Sequence, residues 1–149
     1  PPARDSVRNK INQELRKAGK EMSLQDLPDQ ELTEKIIQAA IMVHKALGPG
    51  FIESFYENAL CIELENRGIV YERQKSIVVT YCDQPVGEHR LDLLVERRAV
   101  VELKAVKDLD AIHFSVIRSY MKAVNTETGL LLNFATMPLT IKRVGREKY

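Results

Sequence analysis

The period of the hydrophobic positions changes near Gly68, which divides the chain into a helical part and a part rich in strands. Before Gly68, apolar residues recur every three or four positions, as they do along one face of an amphipathic helix. This spacing predicts helices at 30–47 and 52–67, which end at Gly48-Pro49-Gly50 and at Gly68. The side chains expected to face inward are Leu32, Ile36, Ala40, Val43, Leu47, Phe55, Ala59, Leu60 and Leu64.

After Gly68, short runs rich in Val, Ile and Leu predict strands, and a turn is expected at 83–87. A further amphipathic helix is predicted at 111–124, beginning after Asp108 or Asp110. Amphipathic helices combined with apolar strands are typical of an α/β domain. The predicted strands lie at 69–73, 76–81, 88–95, 99–106, 129–135 and 140–144.

Charged residues interrupt the strands at 88–95 and 99–106, where a central strand is ordinarily apolar. Alternation of side chains along a strand places Asp92, Glu102 and Lys104 on one face of the sheet. One interpretation is a hairpin with a solvated face. The other is a functional site, because a buried carboxylate must be paired or must bind a metal.

The loop between these two strands, Glu96-Arg97-Arg98, determines which residues stand opposite each other. An odd number of loop residues sets Asp92 opposite Glu102. A two-residue loop would instead pair Asp92 with Leu103 and separate the two acids. We therefore predict an odd loop or a bulge, which brings the carboxylates together.

The composition is that of a globular domain and excludes few functions. The chain has 149 residues, of which 44% are hydrophobic and 29% charged, and its formal net charge is +1. A strongly basic nucleic-acid binder is not indicated, although a local basic rim is compatible with this total. Cys61 and Cys82 lack metal-ligand spacing and are expected to be reduced. No signal sequence and no apolar run of about 20 residues is found, which favours a cytoplasmic protein without a membrane segment.

The N-terminal part of the chain is predicted to be a separate helical extension, covering 1–29, ahead of a domain at 30–149. Four apolar residues at helical spacing among basic ones predict an amphipathic helix that ends near Gly19. The chain begins with Pro rather than Met, which suggests a processed or trimmed start. The extension could be a docking arm, a homodimer contact or a loose appendage. Its apolar positions are Val7, Ile11, Leu15 and Ala18.

The segment Gly50-Phe-Ile-Glu53-Ser-Phe-Tyr56, followed by strands that carry Asp92 and Glu102-Leu-Lys104, resembles the GxxExxY family of the PD-(D/E)XK nuclease-like superfamily. The resemblance covers about 32–144. It implies a restriction-endonuclease-like core, an α/β fold with a mixed central sheet of about four strands flanked by helices. It also marks Glu53 as a candidate active-site acid, although its position in the first turn of a helix is by itself a sufficient structural explanation.

The resemblance implies a metal-dependent nuclease that hydrolyses phosphodiester bonds in DNA. Asp92, Glu102 and the carbonyl of Leu103 would bind Mg²⁺, with Mn²⁺ as a substitute, because hard cations prefer oxygen ligands. Lys104 would position the attacking water. Glu53 would act as an outer acid or as a ligand of a second metal.

Arg90, His113 and Tyr120 are the candidate substrate-binding residues. Arg90 could clamp a phosphate or form an ion pair with Asp92, two positions later. Many relatives carry a Gln on the third helix, in the pattern His-x-x-Gln-x-x-x-Tyr, whereas this chain has Val116 at that position. Val116 puts substrate positioning in doubt more than metal binding, and this helix face could equally serve core packing alone.

Two other functions stay open. The first is a nucleic-acid-binding or protein-interaction module on the same fold with weak or lost metal chemistry, because a fold does not establish an activity. The second is an assembly protein that dimerises through the N-terminal helix.

The basic residues considered for phosphate contacts are Arg73, Lys75, Arg97, Arg98, Lys142 and Arg143.

Overall fold

The computed structural model describes residues 28–146 together with Lys10 and Gln13. Lys10 and Gln13 are both helical, in agreement with the predicted N-terminal helix. The apolar stripe of that helix and its suggested dimer contact lie outside the described residues. The other elements, in chain order, are α1 (Gln30–Leu47), α2 (Glu53–Asn66), β1 (Tyr71–Tyr81), β2 (Gln84–Val95), β3 (Ala99–Lys104), α3 (Ala111–Val124), β4 (Thr128–Asn133) and β5 (Thr140–Gly145).

The strands form one mixed sheet in the order β1-β2-β3-β4-β5. β3 and β4 are parallel, and the other neighbouring pairs are antiparallel. A parallel pair needs a crossover connection, which α3 supplies. The mixed sheet flanked by helices confirms the predicted α/β fold, with five strands where about four were expected.

Each face of the sheet carries its own hydrophobic core. α1 and α2 pack on the face that holds Leu93, Val101 and Leu103. α3 packs on the opposite face, which holds Leu94 and Val100. This alternation is the one predicted for the β2–β3 hairpin, and it buries β3 on both sides.

The inward face of α2 agrees with the prediction at Leu60 and Leu64 and differs from it at Phe55. Its buried positions include Tyr56, Leu60 and Leu64, whereas Phe55 is 50% exposed. The hydroxyl of Tyr56 donates a hydrogen bond to Gly48 O at 2.6 Å and fixes the rotation of the helix. Phe55 is thereby turned outward. Leu47, also predicted to face inward, is 37% exposed in the last turn of α1.

The predicted turn at 83–87 is wrong in extent. Only Cys82 and Asp83 form the turn, both with positive φ, and β2 begins directly after them at Gln84. Left-handed residues at both central positions match the twist of a two-residue hairpin. The predicted strands 69–73 and 76–81 are one strand, β1, which carries a residue of φ 52° at Gln74 between them.

The predicted odd loop of the β2–β3 hairpin is confirmed. Val95 pairs with Ala99, so the loop consists of the three residues between them. β3 ends at Lys104 rather than continuing to Val106 as predicted. Val106 instead hydrogen-bonds through its N–H and C=O to the Asn133 side-chain amide, which replaces a strand partner.

None of the helices in the described part of the chain combines the length and hydrophobicity that crossing a bilayer requires.

Candidate metal centre at the β2–β3 hairpin

Asp92 and Glu102 meet where the β2–β3 ladder ends. The last backbone pair is Leu93 with Val101. One residue further, Asp92 N–H donates to Glu102 Oε1 at 2.8 Å, and Leu103 N–H donates to Asp92 Oδ2 at 2.9 Å. Each carboxylate therefore accepts a backbone hydrogen bond of the kind that a carbonyl accepts in a regular ladder. Each uses one of its two oxygens for this bond.

The two carboxylates are held in an unfavourable electrostatic environment. Glu102 is 5% exposed. Burial, followed by the charge of Asp92, raises the pKa of Glu102 to about 8. Burial also raises the pKa of Asp92, with further contributions from the charges of Glu57 and Glu53. Two neighbouring carboxyl groups with raised pKa values are stabilised when one of them is protonated or when both bind the same cation.

Lys104 is the positive charge of the cluster. It follows Glu102 by two positions on β3, and its charge lowers the pKa of both acids, although not enough to cancel the effect of burial. Among the described residues, none forms a salt bridge or side-chain hydrogen bond with the Lys104 ammonium group. The ammonium is therefore close enough to act on the acids electrostatically without being bonded to either.

The acid that α2 ties to this cluster is Glu57. Glu57 is 7% exposed and accepts hydrogen bonds from Arg73 Nε at 2.8 Å and Gln74 Nε2 at 2.7 Å. Gln74 Nε2 also lies 3.4 Å from Asp92 Oδ1. The predicted acid Glu53 is exposed and acts on Asp92 through its charge. Glu57 was not among the predicted site residues, although it lies one helical turn after Glu53.

Tyr56, the last residue of the Gly50 to Tyr56 motif, is a structural residue. It is fully buried and stacks on Phe134 with ring centroids 4.6 Å apart. Its hydroxyl accepts a hydrogen bond from Phe51 N–H at 3.1 Å and donates one to Gly48 O at 2.6 Å. The motif therefore fixes the turn that presents the N-terminus of α2, and with it Glu53.

The candidates on α3 are divided between two places. Asp110 N–H donates to His113 Nδ1 at 3.0 Å, so His113 caps the start of the helix. The Tyr120 hydroxyl lies 3.0 Å from His89 Nδ1. Burial, followed by the charges of Glu102 and Asp92, raises the pKa of Tyr120. Tyr120 packs in the core on the face of the sheet that holds Leu94 and Val100.

Val116 and Tyr120 line an open groove of about 860 Å³ between α3 and the β1–β2 hairpin. Val116 is half-buried and packs against the core beneath α3. An apolar side chain thus stands on the wall of this groove beside Tyr120.

Most of the basic residues considered for phosphate contacts are bound within the chain. Arg97 and Lys75 pair with Glu72, and Arg98 pairs with Asp29 and Glu31. Arg73 bonds Glu57 and Asn58, and Arg143 bonds Thr33 and Pro28 O. Arg90 and Lys142 are exposed, and neither has an ion pair within residues 28–146. Arg90 is therefore the basic candidate nearest to Asp92 in sequence that other side chains leave available.

The donor set fits a hard divalent cation. Asp92 Oδ1 and Glu102 Oε2 are the oxygens not bound by backbone N–H groups. Oxygen ligands of this kind suit Mg²⁺, which keeps several waters and needs only one or two carboxylates. No group of three or more His, Cys, Asp or Glu residues positioned for a metal occurs among the described residues, so the candidate site is limited to this pair and nearby backbone.

The mixed five-stranded sheet, flanked by helices and carrying an Asp and a Glu-x-Lys on adjacent strands, defines a nuclease-like α/β fold. The chain belongs to the PD-(D/E)XK nuclease superfamily, whose family model matches residues 30–144. The solved crystal structure of SSO0001 is similar in fold, with a TM-score of 0.50 and 14% identity. The match covers 81% of this chain and 60% of that one. A comparison with curated proteins finds no match.

Proposed function

We propose that this chain is a metal-dependent nuclease that hydrolyses phosphodiester bonds in DNA, and that it is a GxxExxY protein within its superfamily. The observation that carries the proposal is the pair of backbone hydrogen bonds that the two carboxylates accept, Glu102 Oε1 from Asp92 N–H and Asp92 Oδ2 from Leu103 N–H. These bonds hold the buried Glu102 carboxylate and the half-buried Asp92 carboxylate next to each other, and the charge of Lys104 acts on both. Nucleases of this superfamily usually use divalent metal ions.

Asp92, Glu102 and the carbonyl of Leu103 would hold Mg²⁺, with Mn²⁺ as a substitute. The ion would supply Lewis-acid polarisation of a phosphoryl oxygen. Lys104 would hold the attacking water and offset the negative charge that develops on the phosphate. Its ammonium group is suited to this role because the described residues leave it unbonded.

The outer residues would bind and orient the substrate. Glu53 would act as an outer acid at the N-terminus of α2, and Arg90 would contact a phosphate next to the scissile one. His113 would reach the substrate through Nε2, since its Nδ1 accepts from Asp110 N–H. The Tyr120 hydroxyl, held by His89, would donate to a phosphate or a base.

The test is a cleavage screen with Mn²⁺ and with Mg²⁺ on single- and double-stranded DNA and RNA, alongside Asp92→Ala. Cleavage of DNA that needs the metal and disappears in Asp92→Ala supports the proposal. Cleavage that persists at the wild-type rate in purified Asp92→Ala contradicts the assignment of Asp92 as a metal ligand. Absence of cleavage, combined with calorimetry that detects no Mn²⁺ binding dependent on Asp92 and Glu102, rules out the metal-dependent nuclease.

A second candidate is a nucleic-acid-binding module on this fold without turnover. Val116 favours it, because an apolar side chain lines the groove where many relatives carry an amide. A gel-shift experiment distinguishes the binding module from the nuclease. A binding module retains DNA in a gel-shift experiment with Mg²⁺ and releases intact strands, whereas the nuclease releases shortened ones.

The oligomeric state stays a prediction that rests on the pattern of the N-terminal helix. Light scattering of the full chain and of a chain that lacks residues 1–29 tests it. A dimer that becomes a monomer after the truncation supports the homodimer contact.

A further inference from the structure

Gln74 lies between carboxylates from two different elements. Its Nε2 is 2.7 Å from Glu57 Oε1 on α2 and 3.4 Å from Asp92 Oδ1 on β2. Asp92 is held at its other oxygen by Leu103 N–H at 2.9 Å. Both oxygens of Asp92 are thus contacted by hydrogen-bond donors, and Gln74 supplies one of them.

The orientation of this amide follows from its neighbours. A side-chain amide has two N–H donors and one carbonyl acceptor. Both neighbours of its Nε2 are carboxylate oxygens, which only accept when they are ionised. Turning the amide over would place its carbonyl against these oxygens. The nitrogen therefore faces both acids.

The backbone of β1 is specialised at the same residue. Gln74 has φ 52°, in the left-handed region that a residue with a side chain rarely adopts. Pairing with β2 runs from Arg73↔Leu93 to Lys75↔Leu91 and omits the level of Gln74 and Asp92. Leu93 and Leu91 pack in the cores on opposite faces of the sheet, so the strands change orientation at this level.

Strained backbone conformations persist where the surrounding structure stabilises them, and they concentrate at functional sites. The left-handed conformation at Gln74 interrupts the regular alternation of β1 beside Asp92. A regular strand residue would have continued the ladder at this level. The left-handed backbone and the side-chain contacts with Glu57 and Asp92 therefore occur at the same residue of β1.

We propose that Gln74 is a positioning residue that bridges Glu57 and Asp92 and fixes the orientation of the Asp92 carboxylate, which would hold the metal. This proposal rests on the proposed function in one respect, the metal. The bridge itself is a property of the metal-free chain. Glu57 stays in place because Arg73 holds its second oxygen at 2.8 Å.

Two variants separate the side chain from the backbone. Gln74→Gly accepts the left-handed conformation without a side chain. Gln74→Asn tolerates that conformation but is one methylene shorter, so it cannot span both acids. Gln84→Asn is the matched control, because Gln84 is an exposed glutamine in the same hairpin.

Mn²⁺ affinity, measured by calorimetry without nucleic acid, is the first readout. We expect both Gln74 variants to bind Mn²⁺ about tenfold more weakly, which is the usual effect of losing an outer hydrogen bond to a metal ligand. Their thermal unfolding midpoints should stay within about 4 °C of the wild type. Gln84→Asn should match the wild type in both measurements. Affinity unchanged in both Gln74 variants overturns the proposal, as does a loss that only follows a fall in stability.

The second readout is nuclear magnetic resonance of the side-chain amides in the metal-free protein. We expect the Gln74 Nε2 protons to exchange more slowly with water than those of Gln84, and to lose this protection in Glu57→Ala. Equal exchange of the two amides overturns the bridge. Wild-type protein that binds no Mn²⁺ but protects the Gln74 amide contradicts the proposed function and still supports the bridge.

Discussion

The β1–β2 hairpin has two halves that differ in burial and in strand pairing. The proximal half pairs Tyr71–Arg73 with Leu93–Val95, and its β2 residues are buried and also pair with β3. The distal half pairs Lys75–Tyr81 with Gln84–Leu91, beyond the end of the β2–β3 ladder. Most of its residues are exposed. The boundary between the halves lies at Asp92.

This difference shows what the candidate site requires. At Asp92 the strand β2 loses its partner β3, so backbone donors at this level bind carboxylates instead. The proximal half supplies a fixed support, because buried strands open rarely. The end of the ladder frees the edge of β2 for side chains. The candidate site therefore lies between the buried proximal half and the exposed distal half of the hairpin.

The largest expected effect concerns Lys104, whose charge acts on the two acids at the boundary between the halves. Replacing Lys104 by Ala should lower the cleavage rate at least about 100-fold, because the positive charge beside the acids is lost. The fold should be retained, as judged by circular dichroism. Lys107→Ala, an exposed lysine just after β3, is the control and should cleave like the wild type. Cleavage that survives in Lys104→Ala removes Lys104 from the mechanism.

The next effect compares the stability of the two halves. Leu93→Ala in the proximal half should lower the free energy of unfolding by about 2–5 kcal/mol, because Leu93 is fully buried. Val86→Ala in the distal half should change it by less than about 0.5 kcal/mol, because Val86 is 62% exposed. Urea denaturation measures both. Equal losses would contradict the distinction between the halves.

The acid pair should make the stability of the metal-free protein depend on pH. Burial and Asp92 raise the pKa of Glu102 to about 8 from an ordinary value of 4.5. A raised carboxyl pKa contributes stability that is complete below the unfolded value and is lost as the pH rises through the folded value. The contribution of Glu102 should therefore make the metal-free protein less stable at about pH 8 than at about pH 5.

Glu102→Gln tests this origin, because an amide does not titrate. The variant should show a weaker fall in urea midpoint between the two pH values. Mn²⁺ should restore stability to the wild type at the higher pH, because it binds the ionised carboxylates of the folded state. An unchanged pH dependence in Glu102→Gln would show that other groups are responsible.

The smallest effect concerns the contact between the distal half and α3. Tyr120→Phe removes the hydrogen bond to His89 and should lower the free energy of unfolding by about 0.5–1.5 kcal/mol. The metal affinity should not change, because Tyr120 is not among the proposed ligands. Tyr81→Phe, on an exposed tyrosine of β1, is the control. A tenfold loss of Mn²⁺ affinity in Tyr120→Phe would place its hydroxyl closer to the metal than proposed.

Local patterns predicted much of the fold. α1 was predicted at its observed bounds, because its apolar stripe is regular and glycines follow it. The pairing of Asp92 with Glu102 was predicted from loop parity, since the period of a strand is two. α2 was located correctly, and so were its buried Leu60 and Leu64, but Phe55 was wrongly expected to face inward, because the hydrogen bond from Tyr56 to Gly48 O sets the rotation of the helix. That bond depends on tertiary packing against Phe134.

The sequence by itself determined the superfamily motif and the meeting of Asp92 with Glu102, because alternation and loop length act between neighbouring strands. Only the tertiary structure decided which acid of α2 reaches them. Glu57 contacts Gln74 across 17 positions, and Gln74 contacts Asp92 across 18. These contacts depend on the docking of α2 and on the left-handed backbone of Gln74. A periodic pattern does not predict a left-handed residue of this kind, because its side chain contacts partners that are distant along the chain.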